Sequence, residues 1–209
     1  MRAELIDAAE QLIYEEGYPA VTSRTLAEKV GLKRQIVHYY FKSMDDVFIA
    51  VVRRAAEKMR EAVAEAAASD EPLRALQQLN RAPQGAILSM ELHALANRRP
   101  AVREEVAKAA EEFRDLQTEI LTKILERQGV EPAMQPVVAI VLLSSLAQVL
   151  ALESAIDISR GHAETLAYVD ECLRAFAQGQ PTPLEASAAT VAEAPRKQRK
   201  SAGAAASEA

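Results

Sequence analysis

The sequence contains almost no cysteine, no tryptophan and few other aromatic residues. A single cysteine, Cys172, excludes an internal disulfide and any zinc site built from several cysteines. Aromatic residues make up only 4% of the 209 residues, and the alternating β-branched stretches typical of strands are hard to find. Hydrophobic residues still reach 49%, which is enough for one large or two small domains. We therefore predict an all-α protein.

The residue patterns that usually carry catalysis are also missing. The sequence has no glycine-rich phosphate loop, no nucleophile elbow and no pair of metal-binding histidines on one helix. Its three histidines, His38, His93 and His162, fall in separate predicted helices. We predict that the chain is not an enzyme and that it needs no metal or cofactor.

The net charge of −5 does not by itself indicate a nucleic-acid-binding protein. One basic face can nevertheless bind DNA, because phosphate contacts act within a Debye length of about 8 Å. No signal peptide precedes the first predicted helix. The longest uncharged run, Pro132 to Leu152, is interrupted by Gln135, Pro136 and Gln148. We expect a cytoplasmic protein without a membrane span.

The stretch Val21 to Phe41, VTSRTLAEKVGLKRQIVHYYF, predicts two short helices joined by a tight turn. Thr22 is a good N-cap for the first helix, and Gly31 stands where a left-handed C-cap would end it. The second helix should begin near Lys33. Two helices around a short glycine-containing turn form a helix-turn-helix unit, whose second helix can enter a DNA major groove.

The second of these helices separates apolar from polar side chains. At about 100° per residue, the apolar ones gather on an inner arc, namely Ile36, Val37 and Tyr40. The polar ones occupy the outer arc: Arg34, Gln35, His38 and Tyr39. Arginine can pair with guanine O6 and N7, and glutamine with adenine N6 and N7. We therefore predict that Arg34 and Gln35 read bases, with His38 or Tyr39 assisting.

The same stretch has a local charge of +4. Between Thr22 and Lys42, Glu28 is the single anion, and the cations are Arg24, Lys29, Lys33, Arg34 and Lys42. We predict phosphate contacts from Thr22, Lys33 and Lys42, and we include Arg24 in the DNA-binding surface. The alternative is a solvated face of an ordinary helical domain.

A series of short motifs extends from about Ala8 to Val47. They are Glu15-Glu16-Gly17-Tyr18, Thr22, Leu26-Ala27, Val30-Gly31-Leu32 and His38-Tyr39-Tyr40-Phe41-Lys42-Ser43. Together they resemble the TetR family of transcriptional regulators. Three residues depart from that family's usual pattern, which has Ser or Thr at Lys33, Tyr at His38 and Lys at Met44. The departures put the usual phosphate contacts at His38 and Met44 in doubt.

Caps, breakers and apolar periodicity predict about nine helices in three regions. A helix-turn-helix domain covers residues 1–47, an effector-binding and dimerisation domain covers 48–178, and a disordered tail covers 179–209. The tail contains a basic cluster, Arg196 to Lys200. Outside the helix-turn-helix unit, the predicted helices are Arg2–Glu16, Ser43–Ala68, Pro72–Leu79, a sixth after breaks at Pro83 and Gly85, Ala101–Gln128, Pro132–Ile156 and Gly161–Gln178.

The eighth predicted helix is apolar almost all round, which is typical of a helix buried centrally or at a subunit interface. With the ninth helix it offers more apolar surface than one bundle needs, which suggests a dimer. The resemblance implies the same, since TetR-like proteins usually dimerise through their last two long helices as a four-helix bundle. The alternative is the core of a monomer.

The middle helices could enclose a small-molecule effector. Pockets between bundle helices are mostly apolar with a few polar groups. We predict an apolar effector bound by residues on two of these helices: Met90, His93, Phe113 and Gln117. The alternative is that His93 is a partly exposed helical residue and Phe113 belongs to the core.

The function that we predict is a ligand-responsive regulator, most often a repressor in the family it resembles. A homodimer would bind a palindromic operator in double-stranded DNA and would be nucleoid-associated when bound. Two other classes remain open, a helical small-molecule-binding or enzymatic protein and a protein-interaction module. Salt-dependent binding to duplex DNA would separate both from a regulator.

Overall fold

The computed structural model describes residues 1–80, 83–131, 134–177 and 180, and these residues form α-helices and one short 3₁₀ helix without any strand. The all-α prediction is therefore confirmed. The elements are α1 (Arg2–Glu16), the 3₁₀ helix (Tyr18–Ala20), α2 (Ser23–Lys29), α3 (Arg34–Tyr40), α4 (Met44–Ala67), α5 (Pro72–Asn80), α6 (Pro83–Ala96), α7 (Pro100–Gln128), α8 (Pro136–Ser154) and α9 (His162–Ala177).

The chain divides into two compact units, Met1–Ser159 and Arg160–Ala209. The first contains α1 to α8, and α9 is the described helix of the second. The predicted boundaries at residues 47 and 178 remain predictions. The predicted tail, residues 179–209, lies outside the described residues except for Gln180, and so does its basic cluster.

Local signals set the ends of the N-terminal helices as the sequence predicts. The hydroxyl of Thr22 accepts a hydrogen bond from the backbone N–H of Thr25 at 3.2 Å and so caps α2. Gly31, just beyond α2, adopts the left-handed region with φ of 67°. At the start of α4, the Ser43 hydroxyl accepts from the Asp46 N–H, and the Asp46 carboxylate accepts from the Ser43 N–H. These reciprocal bonds satisfy backbone donors that the helix leaves unpaired.

The apolar stripe of α1 holds the helix-turn-helix unit in place. Its members are all buried, as predicted: Leu5, Ala8, Ala9, Leu12 and Ile13. They share one core with Leu26 of α2, Val37 of α3 and Phe41 beyond it. The same core includes Leu92 of α6 and Val102 of α7. Helices α2 and α3 therefore share a continuous apolar core with the helices that follow α4.

Helix α4 connects this core to a second one. Twenty-four residues at about 1.5 Å each give it a length of roughly 36 Å. At its far end, Val63 and Ala66 pack with Leu76 of α5 and Ile124 of α7. Between the two cores, Ala55 and Met59 of α4 are only half-buried. The middle of α4 therefore faces a space that side chains do not fill.

The predicted start of the sixth helix is wrong. Pro83 and Gly85 were expected to precede the sixth helix, whereas α6 begins at Pro83 and includes Gly85. Proline fits the first position of a helix because the N–H that it lacks would have no partner there.

Helix α8 is not a central core helix of this chain. Ile140 is its one buried residue, and Leu142 is 58% exposed. Interfacial burial, the other alternative, remains a prediction. The predicted start at Pro132 lies outside the described residues. Among the described helices, α8 alone has the length and composition to cross a membrane, which is weak evidence because soluble core helices pass the same test.

The N-cap of α4 provides a test of these local contacts. Replacing Ser43 by Ala should lower the free energy of unfolding by about 1 kcal/mol, because one orphan N–H loses its acceptor. Lys33 is the N-cap of α3 and makes no capping hydrogen bond, so Lys33→Ala should change stability by less than about 0.5 kcal/mol. Urea unfolding followed by circular dichroism measures both, and equal losses would contradict this account.

Candidate nucleic-acid interface and ligand cavity

The outer arc of α3 is open to solvent. Its four predicted DNA-contacting residues are all exposed: Arg34, Gln35, His38 and Tyr39. Val37, on the opposite arc, is 1% exposed and fixes the helix to the core. The helix therefore presents a polar surface of about two turns that nothing else in the described chain covers.

Arg34 is oriented by a neighbouring helix. Its Nε donates to the hydroxyl of Ser23 at 2.8 Å, and Ser23 is buried at the start of α2. Arginine has five N–H donors, so this bond leaves the two terminal nitrogens to form a two-point contact with another group. Sequence reasoning missed Ser23, because an orienting partner eleven residues away leaves no periodic signal.

Tyr40 does not face inward as predicted. It is 36% exposed, and its ring meets that of Tyr39 edge-on, with centroids 5.0 Å apart. Phe41, just past the helix end, occupies the core instead and is 2% exposed. Helix α3 ends at Tyr40, so the chain changes direction and the next residue takes the inward place. Tyr39, 80% exposed, presents an aromatic face to solvent.

The basic surface is smaller than the sequence suggests. Lys29 pairs with Glu15 at 2.6 Å, and Arg24 lies 3.8 Å from Glu28. Within the described ranges, Lys33, Arg34 and Lys42 form no ion pair, and Lys33 and Lys42 flank α3. Of the five cations between Thr22 and Lys42, these three are therefore without a carboxylate partner in the described residues.

Two further residues at this surface, Thr22 and Arg2, make contacts other than ion pairs. The Thr22 hydroxyl already caps α2, so its predicted phosphate contact would have to coexist with that cap. Arg2, which sequence reasoning missed, places its guanidinium 5.0 Å from the centre of the Phe41 ring. The Arg2 cation therefore lies next to Phe41, the residue before Lys42.

A cavity of about 490 Å³ lies among α1, α4, α5, α6 and α7. Most of its lining is apolar and includes Met59, Leu88 and Leu116. Of the predicted effector-binding residues, His93 and Phe113 line it. Met90 and Gln117 lie on the same two helices but are not part of this lining, and Gln117 is buried with 3% exposure. A volume of this size is ordinary for small-molecule sites.

One part of the lining is polar and belongs to the DNA-binding domain. Glu10 and Tyr14 of α1 meet Lys58 of α4 there, and the Glu10 carboxylate accepts from Lys58 Nζ at 2.9 Å. Its other oxygen accepts from Arg54 Nε at 2.8 Å. Burial and the Glu10 charge raise the pKa of the Tyr14 hydroxyl from its ordinary value. Sequence reasoning missed this group, since its members come from two helices separated by more than forty residues.

A second link ties α6 to the DNA-binding domain. The Glu91 carboxylate accepts a hydrogen bond of 2.8 Å from the backbone N–H of Tyr18. The preceding residue, Gly17, has φ of 81°, and a Cβ there would lie 3.2 Å from Glu91 Oε2. Glycine therefore allows both the turn and the close approach of the carboxylate. The helix that carries His93 is thereby bonded to the loop that leads into α2.

The fold and the exposed α3 surface define a helix-turn-helix protein whose remaining helices enclose a cavity. Residues 5–51 match the sequence profile of the bacterial regulatory proteins, tetR family. The match confirms, for these residues, the resemblance that the motif spacing predicts. A segment of 64 residues is 36% identical to the HTH-type transcriptional repressor AcnR of Corynebacterium diphtheriae and covers 31% of this chain and 34% of AcnR. The match thus spans about a third of this curated relative.

Solved structures match over a larger part of the chain. A Saccharomonospora viridis protein in complex with choline has a TM-score of 0.66 at 21% identity, over 77% of this chain and 87% of its own. The transcriptional regulator FadR of Bacillus subtilis, in complex with stearoyl-CoA, has a TM-score of 0.63 at 17% identity, over 87% of this chain and 100% of its own. At these identities the likeness establishes a common fold.

Lys42 provides a test of the interface. We expect Lys42→Ala to weaken binding to all duplexes by a similar factor, and to reduce the salt dependence of binding by about one counterion, because one phosphate contact is lost. Fluorescence anisotropy across a range of salt concentrations measures both. Lys108→Ala, on the exposed face of α7, is the matched control and should change neither. A loss confined to one DNA sequence would contradict a phosphate role.

Proposed function

We propose that this protein is a ligand-responsive transcriptional regulator, most simply a repressor, that binds a palindromic operator as a homodimer. The observation that carries the proposal is the exposed arc of α3, held on a buried core and flanked by cations without carboxylate partners. Such a protein works in the cytoplasm and is associated with the nucleoid while it is bound to DNA.

Arg34 and Gln35 are the proposed base readers. Both are exposed near the N-terminus of α3, the end of a recognition helix that usually contacts base edges. Ser23 fixes one side of the Arg34 guanidinium, which reduces the conformational freedom that binding must remove. Tyr39 and His38 lie further along the same surface. Phosphate contacts are proposed for Thr22, Lys33 and Lys42, and Arg24 is included in the DNA-binding surface.

Helix α8 supports dimer formation. Its exposed apolar residues recur at helical spacing and form one stripe: Val138, Val141, Leu142 and Val149. A soluble protein rarely leaves such a row of large apolar side chains in water. A two-fold axis through this stripe would give the dimer two α3 helices for two half-sites about one helical turn apart.

The cavity is the proposed effector site. It touches α1 through Glu10 and Tyr14, and its helix α6 is bonded to the loop before α2 through Glu91. A ligand that alters either contact would change the placement of α3, and DNA and ligand would then affect each other's binding by the same factor. Proteins of this fold have been solved with choline and with stearoyl-CoA, so the fold alone does not determine the ligand.

The central experiment is a selection of bound duplexes from a random pool, followed by affinity measurements with variants. We expect an enriched inverted repeat. Arg34→Ala should reduce affinity for it by about 1–3 kcal/mol and should leave binding to random duplex nearly unchanged. Ser23→Ala should have a smaller effect in the same direction. Arg114→Ala, an exposed change on α7, is the control. Equal losses on selected and random DNA would refute base reading by Arg34.

The dimer is tested separately at α8. Leu142→Asp would bury a carboxylate in the proposed interface, so we expect a monomer in sedimentation velocity and a loss of operator binding of at least about tenfold. Arg114→Asp adds the same side chain to an exposed position of α7 and should leave the mass unchanged. If Leu142→Asp sediments like the unchanged protein, the α8 stripe does not form the interface.

A further inference from the structure

The ion pairs beside the cavity leave one buried donor without a partner. Within the described part of the chain, the Nη2 atom of Arg54 is buried and makes no hydrogen bond. The other nitrogens of this guanidinium are used, Nε on Glu10 and Nη1 on Asp7 at 2.5 Å. A buried N–H without an acceptor is costly, so an arrangement that satisfies it would be favoured.

The adjacent arginine shows the arrangement that Arg54 lacks. Arg53 binds Glu105 at two points, with Nε on Oε1 at 2.9 Å and Nη2 on Oε2 at 2.7 Å. Arg54 makes the first of these bonds to Glu10, but Glu10 Oε2 accepts from Lys58 Nζ instead. Arg54 therefore makes a one-point contact with Glu10, and Lys58 bonds to the carboxylate oxygen that a two-point contact would use.

The Lys58 ammonium can move away from Glu10, whereas the Glu10 carboxylate is buried and held by its partners. The Lys58 side chain is 60% exposed and lines the cavity, while the Glu10 side chain is 12% exposed with both oxygens bonded. If the ammonium turned towards an anion in the cavity, a small rotation of the Glu10 carboxylate would pair Oε2 with Arg54 Nη2. Glu10 would remain paired with Arg54, and a buried donor would gain its acceptor.

We propose that the effector is an amphipathic anion whose head group is held by Lys58 and whose apolar part fills the cavity. This inference rests on the proposed function, because it names the ligand class of the proposed effector site. Tyr14 lines the same part of the cavity and can donate a further hydrogen bond to the head group. The remaining lining, which includes Val52, Leu92 and Phe113, suits a hydrocarbon portion.

The other charged residues of the cavity do not offer the same exchange. Arg60 pairs with Glu57, and Glu112 lies 3.8 Å from Lys108. Both members of the Arg60–Glu57 pair belong to α4, so an anion held by Arg60 would not alter the contact between α1 and α4. The anionic head group is therefore assigned to Lys58.

Binding at Lys58 would also act on the DNA-binding domain. Glu10 belongs to α1, whose apolar stripe supports α2 and α3. An exchange of Lys58 for Arg54 Nη2 shifts the Glu10 carboxylate, and with it the contact between α1 and α4. The head group, rather than the tail, would then carry the signal to α3.

The test compares three probes that share one tail and differ in the head group. Decanoate, 1-decanol and decylammonium are titrated calorimetrically into the full chain, below the concentrations at which they form micelles. We expect decanoate to bind at least about tenfold more tightly than decanol, as one charge-assisted hydrogen bond to Lys58 implies. Lys58→Met keeps the aliphatic stem and should abolish this preference. Lys108→Met removes a nearby cation outside the cavity lining and should preserve it.

Three outcomes would overturn the inference. They are equal binding of decanoate and decanol (including no binding of either), tighter binding of decylammonium, or a decanoate preference that survives in Lys58→Met. Thermal unfolding of each variant verifies that the fold is retained. Operator binding by the ligand-free protein is measured in parallel, so a failure of the ligand assignment is distinguished from a failure of the regulator function.

Discussion

The burial of α1 against the helix-turn-helix unit is the interaction on which the rest of this structure depends. Helices α2 and α3 have seven residues each, too few to be stable alone in water. Leu5, Leu12 and Ile13 are almost completely buried in the core that they share with both helices, and each such side chain contributes roughly 1.5–3 kcal/mol. Because the same core continues into α6 and α7, the position of the recognition helix depends on helices that also surround the cavity.

Polar contacts fix the orientation of the helices that this apolar core holds together. The core resists separation of the helices, but a hydrophobic contact sets no particular orientation between them. Two carboxylates join the N-terminal elements to the later helices at defined atoms. Glu10 of α1 bonds to Arg54 and Lys58 of α4, and Glu91 of α6 accepts from the Tyr18 N–H. Ion pairs of this kind add little net stability, because desolvation offsets the attraction. Their contribution here is to fix where α1 and the loop before α2 lie.

Much of the fold could be predicted from the sequence, because caps and glycines act over three or four residues. Thr22, Gly31 and Ser43 mark helix ends through their own backbone and hydroxyl groups, and the α1 stripe follows from a 3.6-residue period. The exposed arc of α3 follows from the same rule. Tyr40 departs from it because the helix ends there, and periodicity contains no information about where a seven-residue helix stops.

The cavity could be predicted only in part. The predicted residues lie on α6 and α7, two of the helices around the cavity, but helical periodicity does not show which side of a helix faces another helix or an empty space. His93 and Phe113 line the cavity, whereas Met90 and Gln117, on the same helices, do not. Glu10 and Lys58 are separated by 48 residues, and their contact depends on how α1 crosses α4. The exposure of α8 likewise depends on neighbours and not on its own composition.

The bond between Glu91 and the Tyr18 N–H bears on the exchange of modules between related proteins. A chimera that joins residues 1–47 to a foreign C-terminal half would place Gly17 opposite a different α6. Without a carboxylate at the matching position, that backbone donor would lose its acceptor. The seam of a functional hybrid therefore lies beyond α6 and not at the end of the helix-turn-helix unit.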